Sequence, residues 1–252
     1  MVRDVMGGAA LVLLLFGSAA EAQMSHLTMH WEGRGFVNGS VGAQATGDDP
    51  TFDVGRDLYQ QRMGIRSGVD IGGGALWDVS AGYRVWRNLV VGLGYSQFGN
   101  DSNTTAAVSI PHPLITNQPR VGTTTGSNLD HSQRALHFVA SWMIPVTDKI
   151  DVAVSTGPTI FFVKQDLITD VAFSEIGAPF TTVNIGGPVV SDRSETGGGF
   201  HIGADVTYLL RPRWGAGAFL RYAGGGVTFD GIDGGEVDAG GLQIGLGVRY
   251  RF

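Results

Sequence analysis

Leu242-Gln-Ile-Gly-Leu-Gly-Val-Arg-Tyr-Arg-Phe252 ends the chain in strict alternation. Leu242, Ile244, Leu246, Val248, Tyr250 and Phe252 fall on one face of a strand, and Gln243, Gly245, Gly247, Arg249 and Arg251 on the other. The stretch has the length of a strand that crosses a bilayer. One face suits lipid and the other a polar lumen, the arrangement expected of a strand in a transmembrane barrel. An amphipathic edge strand of a soluble β protein would share the alternation, so the rest of the chain must decide.

The same ending resembles the carboxyl-terminal assembly signal of bacterial outer-membrane proteins. Gly247, Tyr250 and Phe252 match its pattern, whereas Gly245 stands where a polar residue is expected. The resemblance implies recognition by the barrel-assembly machinery.

The other end of the chain predicts export. Arg3 lies in a short charged region, residues 9–16 form an apolar run, and Ala20-Glu-Ala22 offers a small-x-small cleavage site. Residues 1–22 are therefore expected to be a signal peptide, with residues 23–252 as the barrel domain. The apolar run is too short to span a bilayer, and no later stretch is long enough for a transmembrane helix. The absence of cysteine excludes a disulfide framework and thiolate metal sites. The 40 glycines suit a tightly curved sheet. A net charge of −6 without a long basic run argues against nucleic-acid binding.

Working back from the last strand, alternation predicts seven more: roughly residues 34–46, 75–86, 89–98, 133–146, 150–163, 200–210 and 214–222. The clearest pair meets at Arg87-Asn88. Trp77, Val79, Ala81, Tyr83 and Val85 face one way before this turn, and Leu89, Val91, Leu93 and Tyr95 follow it. Pro158 falls inside a predicted strand and is expected to produce a bulge or a weakened pairing there. Links after the second, fourth and sixth strands are short, and links 47–74, 99–132, 164–199 and 223–240 are long. Short periplasmic turns and long extracellular loops are the asymmetry of an all-β, eight-stranded antiparallel up-and-down transmembrane barrel. Trp86, Trp142, Trp214, Tyr83 and Tyr250 cluster at the predicted periplasmic ends, where an aromatic girdle belongs.

The pattern of the mature chain resembles the small eight-stranded outer-membrane barrels of the OmpA, OmpX and OmpW group. The chain stops at Phe252, so no periplasmic peptidoglycan-binding domain is expected after the barrel. The resemblance implies an outer-membrane location, with membrane lipids and lipopolysaccharide as partners and an unidentified external partner at the loops.

The inward face carries Asp78, Arg84, His137, Asp151, His201, Asp205, Arg221, Arg249 and Arg251. A lumen of eight strands is just wide enough for side chains to fill. Charges enclosed there must be paired or hydrated. Two readings use the same residues: a salt-bridge network that plugs the barrel, or a narrow path for ions or small solutes. Catalysis is expected least. Lipid A deacylases, which are outer-membrane barrels of this size class, use a Ser/His pair on an outward face, but His137 and Ser141 fall on the lumen side. His131-Ser132 lacks an evident acid partner, and a nucleophile needs a base that is itself oriented. No metal site or cofactor is expected. His112, held between Pro111 and Pro113, reads as a rigid loop segment. Asp48, Asp49, Asp53 and Asp57 miss the EF-hand spacing and read as an acidic loop. The triads Gly72–Gly74, Gly197–Gly199 and Gly224–Gly226 read as flexible loop exits.

Overall fold

In the computed structural model of the protein, the described residues are 33–252 apart from 47–49, 70, 230, 231, 233 and 234. The expected signal peptide, its cleavage site, and Asp48 and Asp49 lie outside the described residues. Among the described residues, ten strands make one antiparallel sheet. They are β1 (Gly35–Ala45), β2 (Thr51–Leu58), β3 (Gln61–Gly68), β4 (Gly74–Trp86) and β5 (Leu89–Ile110), then β6 (Arg120–Pro145), β7 (Ile150–Glu175), β8 (Val183–Arg211), β9 (Trp214–Thr228) and β10 (Glu236–Arg251).

Eight of these close into a ring, because β1 pairs with both β4 and β10 and the chain of hairpins from β4 to β10 skips none. Closure removes the unpaired edges of an open sheet. At the seam, Gly35 and Phe252 exchange two backbone hydrogen bonds of 2.9 Å each. The last residue of the chain thus completes the ring.

The wall obeys the period of two. Val41, Leu93, Phe138, Val206, Leu246 and Val248 point outward and are exposed, while their neighbours in sequence point into the lumen. Trp86, Trp142, Trp214 and Tyr83 mark one rim, where the Trp214 and Tyr250 rings meet at a tilt with centroids 4.8 Å apart. Trp77 with Tyr95 and Phe200 with Tyr222 mark a second level. From Trp77 to Trp86 is about 30 Å along the strand, or roughly 23 Å across a bilayer at a tilt near 40°. That span is the height of the apolar band in outer-membrane barrels.

The long links differ from the expectation of loops. The first contains a further hairpin, β2–β3, turned by Tyr59 and Gln60, both with positive φ (51° and 60°) as a type I′ turn requires. The second and third are continuations of β5–β6 and β7–β8, paired nearly to their tips. Beyond the membrane the sheet runs β2-β3-β5-β6-β7-β8, while β1 and β4 stop near the upper aromatic level and β9 and β10 stay paired six residues past Tyr222, to Thr228 and Glu236. This projection has its own core of Met63, Ile65, Ala106, Val108, Ile110, Leu129, Ile168 and Val171.

The glycine triads are also not all flexible exits. Gly198 pairs with Gly226 and Gly199 with Gly225 inside the wall. A Cβ on Gly199 would lie 2.2 Å from the Gly224 carbonyl oxygen, so the two strands approach more closely there than side chains permit. At Pro158 the β7–β8 ladder continues, but the β6–β7 ladder lacks two pairs, between His137↔Thr159 and Ala140↔Thr156. The register is the same on both sides, so the proline interrupts pairing without a bulge.

Candidate functional site in the lumen

Depth in the lumen can be read along β10, whose inward residues rise from Arg251 through Arg249 and Gln243 to Ala239 and Val237. Each arginine meets a carboxylate from another part of the ring. Arg251 pairs with Asp151 of β7 nearest the periplasm, both almost fully enclosed. Arg249 Nη2 lies 2.8 Å from Asp205 Oδ1 of β8, and its guanidinium stacks over the Phe36 ring at 4.5 Å. Higher still, Arg221 Nη2 of β9 lies 2.8 Å from Asp78 Oδ2 of β4, across the barrel. Phe36, Val90, Met143 and Ala153 form an apolar layer between charged ones.

Arg84 stands apart from the three pairs. It lies at the periplasmic rim, where Nη2 donates to the Gly33 carbonyl at 3.4 Å.

A chain of amides continues from the Arg221–Asp78 pair. Arg221 Nε donates to Gln243 at 2.5 Å, Gln243 to Gln44 at 2.7 Å, and Gln44 to Gln133 at 3.2 Å. Gln133 donates to His131 Nε2 at 2.8 Å, and His131 Nδ1 donates to Gln165. That assignment makes His131 the Nδ1-protonated tautomer. Sequence reasoning singled out the charges and missed these four glutamines. The signal was present in their inward parity, but parity does not say which side chains meet.

Two further lumenal histidines, His137 and His201, form a second group. His137 Nε2 lies 2.9 Å from Ser96 Oγ, and Thr159 Oγ1 sits between His137 Nδ1 at 2.9 Å and His201 Nδ1 at 3.0 Å. A hydroxyl has one proton, so it can donate to one of these nitrogens at most. At least one Nδ1 therefore carries the hydrogen. The rings meet edge-on at 5.0 Å. His137 uses Ser96 and Thr159, not Ser141, and no carboxylate is hydrogen-bonded to either ring among the described residues.

Between the upper and lower charges lies a cavity of about 70 Å³ lined by Asp78, Ser141, His201, Asp205, Arg221 and Arg249 among others. Among the described residues, Arg249 Nε and Nη1 and His201 Nε2 are buried without a hydrogen-bond partner. Above the glutamines the lumen turns apolar, with Phe52, Phe161, Leu167, Val227 and Phe229 almost wholly enclosed. No group of three or more candidate metal ligands occurs among the described residues.

Outside the membrane a second polar cluster ties the hairpin tips together. Arg120 holds Glu175 bidentately, with Nη2 to Oε1 at 2.8 Å, and donates to the carbonyls of Pro111 and Phe180. The hydrogen bond from Arg120 holds the Glu175 carboxyl below the usual glutamate range. His112 Nδ1 accepts from the amides of Leu114 and Ile115, and Nε2 donates to Pro179 O at 3.2 Å. Asp53 is bonded to Arg66 at 2.9 Å.

A closed ring of eight strands, apolar outside between two aromatic levels and polar within, defines a small outer-membrane β-barrel. Solved structures of similar architecture include Neisserial surface protein A, at 14% identity over 86% of this chain and 97% of that one, with a TM-score of 0.46. The outer membrane protein OprG from Pseudomonas aeruginosa matches at 14% identity over 88% and 97% of the two chains, with a TM-score of 0.45. The outer membrane protease OmpT from Escherichia coli matches at 5% identity over 86% and 97%, with a TM-score of 0.46. No protein-family model and no curated protein matches the chain.

Proposed function

We propose that the protein is a non-catalytic surface barrel of the outer membrane, exported by its signal peptide, whose lumen is closed by its own side chains. It supports membrane integrity and carries a rigid sheet outward for contact with an external partner. The observation that carries this reading is the stacking of three cross-lumen ion pairs beneath an apolar layer that includes Phe161 and Phe229. Opposite charges so confined stabilise each other and exclude a continuous water column. The barrel-assembly machinery is the partner in biogenesis, through Gly247, Tyr250 and Phe252.

A second reading, a narrow ion path, draws on the polar cavity beside Arg249 and His201, whose volume admits water. Planar-bilayer recording separates the two. The closed barrel gives little steady current as wild type. Large, stable, ion-selective steps whose selectivity changes in Arg221→Ala or Asp205→Ala would establish the channel instead.

A further inference from the structure

The hydrogens of the histidine group have one consistent arrangement. Among the described residues, Ser96 Oγ meets only His137 Nε2, and Thr159 Oγ1 meets only the Nδ1 atoms of His137 and His201. Each hydroxyl has a single hydrogen to donate. The Ser96 hydrogen therefore goes to His137 Nε2, which puts the His137 hydrogen on Nδ1, where it donates to Thr159. The Thr159 hydrogen then goes to His201 Nδ1, the one acceptor remaining. His201 must carry its own hydrogen on Nε2. The reverse direction would leave the Ser96 hydrogen with no acceptor.

The chain thus delivers an N–H donor to the end of a buried ring. His201 is 1% exposed, and its Nε2 has no hydrogen-bond partner among the described residues. Arg249 is 5% exposed and has two nitrogens in the same state, Nε and Nη1. Both residues line the lumenal cavity of about 70 Å³. No carboxylate oxygen is among the buried atoms that lack a partner. What the cavity lacks is therefore acceptors. Its charges balance, Arg221 against Asp78 and Arg249 against Asp205.

We propose that this cavity binds one small monovalent anion of the halide class, hydrogen-bonded by Arg249 and His201. The site rests on the closed lumen of the proposed function, which keeps the ion from exchanging freely with bulk water. A water molecule accepts hydrogen bonds but brings two hydrogens that need acceptors of their own. A halide accepts from every side, and bonds to a charged acceptor are the stronger ones. A dianion would overturn the balance set by the two ion pairs. The volume exceeds the roughly 10–15 Å³ that one water needs, so the ion keeps some of its hydration. Held there, it bridges β8 and β10 beside the Arg249–Asp205 pair.

The test uses the whole protein and bromide as the probe. Crystals grown in sodium bromide should show an anomalous peak beside Arg249 and His201. In micelles, nitrogen-15 spectra of the imidazoles should report His201 protonated at Nε2 and His137 at Nδ1. The His201 Nε2 resonance should shift as bromide replaces gluconate, and the shift should saturate. His201→Phe should weaken bromide binding about tenfold, as expected for one hydrogen bond to a charged group. Arg66→Ala, in the projecting sheet, should leave it unchanged. Heat-modifiability on gels verifies that each variant is folded, and the wild-type spectra need no variant. Density in the cavity without anomalous signal means water only and would overturn the inference. So would His201 protonated at Nδ1, or a His201 resonance identical in bromide and gluconate. Either result in a non-conducting barrel rejects this site alone. A bromide peak in a barrel that passes steady current keeps the site and rejects the closed lumen around it.

Discussion

At the scale of single residues, the Arg221–Asp78 pair offers the sharpest test of what the lumen does. Both side chains are nearly enclosed, at 11% and 6% exposure. Asp78→Ala leaves the guanidinium without its carboxylate and is expected to cost about 3–5 kcal/mol. Replacing both, as Asp78→Leu with Arg221→Met, should cost much less, because no charge is left uncompensated. Urea unfolding in lipid vesicles measures the difference, and similar losses in the single and double variants would contradict it. On the lipid side, Leu93 is exposed between the two aromatic levels, and Leu93→Arg should cost about 2–4 kcal/mol in the same assay. A variant as stable as wild type would place Leu93 off the lipid face. The inward parity of Asp78, Asp205, Arg221, Arg249 and Arg251 was legible in the sequence, since alternation assigns a face to each side chain. Their pairing was not. Tilted strands shift relative height around the ring, so Arg221 meets Asp78 of β4 and Asp205 meets Arg249 of β10.

At the scale of elements, the β4–β5 hairpin was readable because a tight turn separates two strongly amphipathic runs. The projecting halves of β5 and β6 were not. Their outward residues include Asn103, Thr105, Thr123 and Thr125, with Ser102, Thr104 and Thr124 among the inward ones, so apolar contrast fades where lipid ends. Glycine misled in the opposite direction, reading as loop where Gly199 and Gly225 allow backbones to approach. Gly199→Val should therefore disturb β8–β9 pairing and lower the yield of folded barrel in refolding trials, while Gly198→Val, with open space at its Cβ, should do so less. In β10, deleting Phe252 removes both seam hydrogen bonds with Gly35 and should impair insertion in cells without stopping export. Wild-type levels of the truncated protein in outer membranes would remove the terminal residue from assembly. At the hairpin tips, Glu175 is held below its usual range by Arg120. The tie is complete above the ordinary glutamate value of about 4.3 and lost as pH falls through the depressed one. Protease cleavage near the tips should rise in that acid window, and Glu175→Gln should show the higher cleavage already at neutral pH.

At the scale of the whole molecule, the barrel and its projection share strands but not interiors. One cluster, containing Phe161 and Phe229, fills the upper lumen, and another, around Met63 and Ile110, lies within the projecting sheet. Lipid guards the amide groups of the ring, whereas water reaches the outer hairpins from both flanks. The molecule should thus breathe in two parts on two clocks. In hydrogen–deuterium exchange, amides of β2, β3 and the distal parts of β5 to β8 should open together and exchange first, while ring amides of β4, β9 and β10 stay protected. A strand such as β8 then carries both rates along its own length, with the change near the glycines at 197–199, where its pairing with β9 begins. An outside partner that grips the hairpins would slow the fast clock alone, and would report its own binding without altering the barrel beneath.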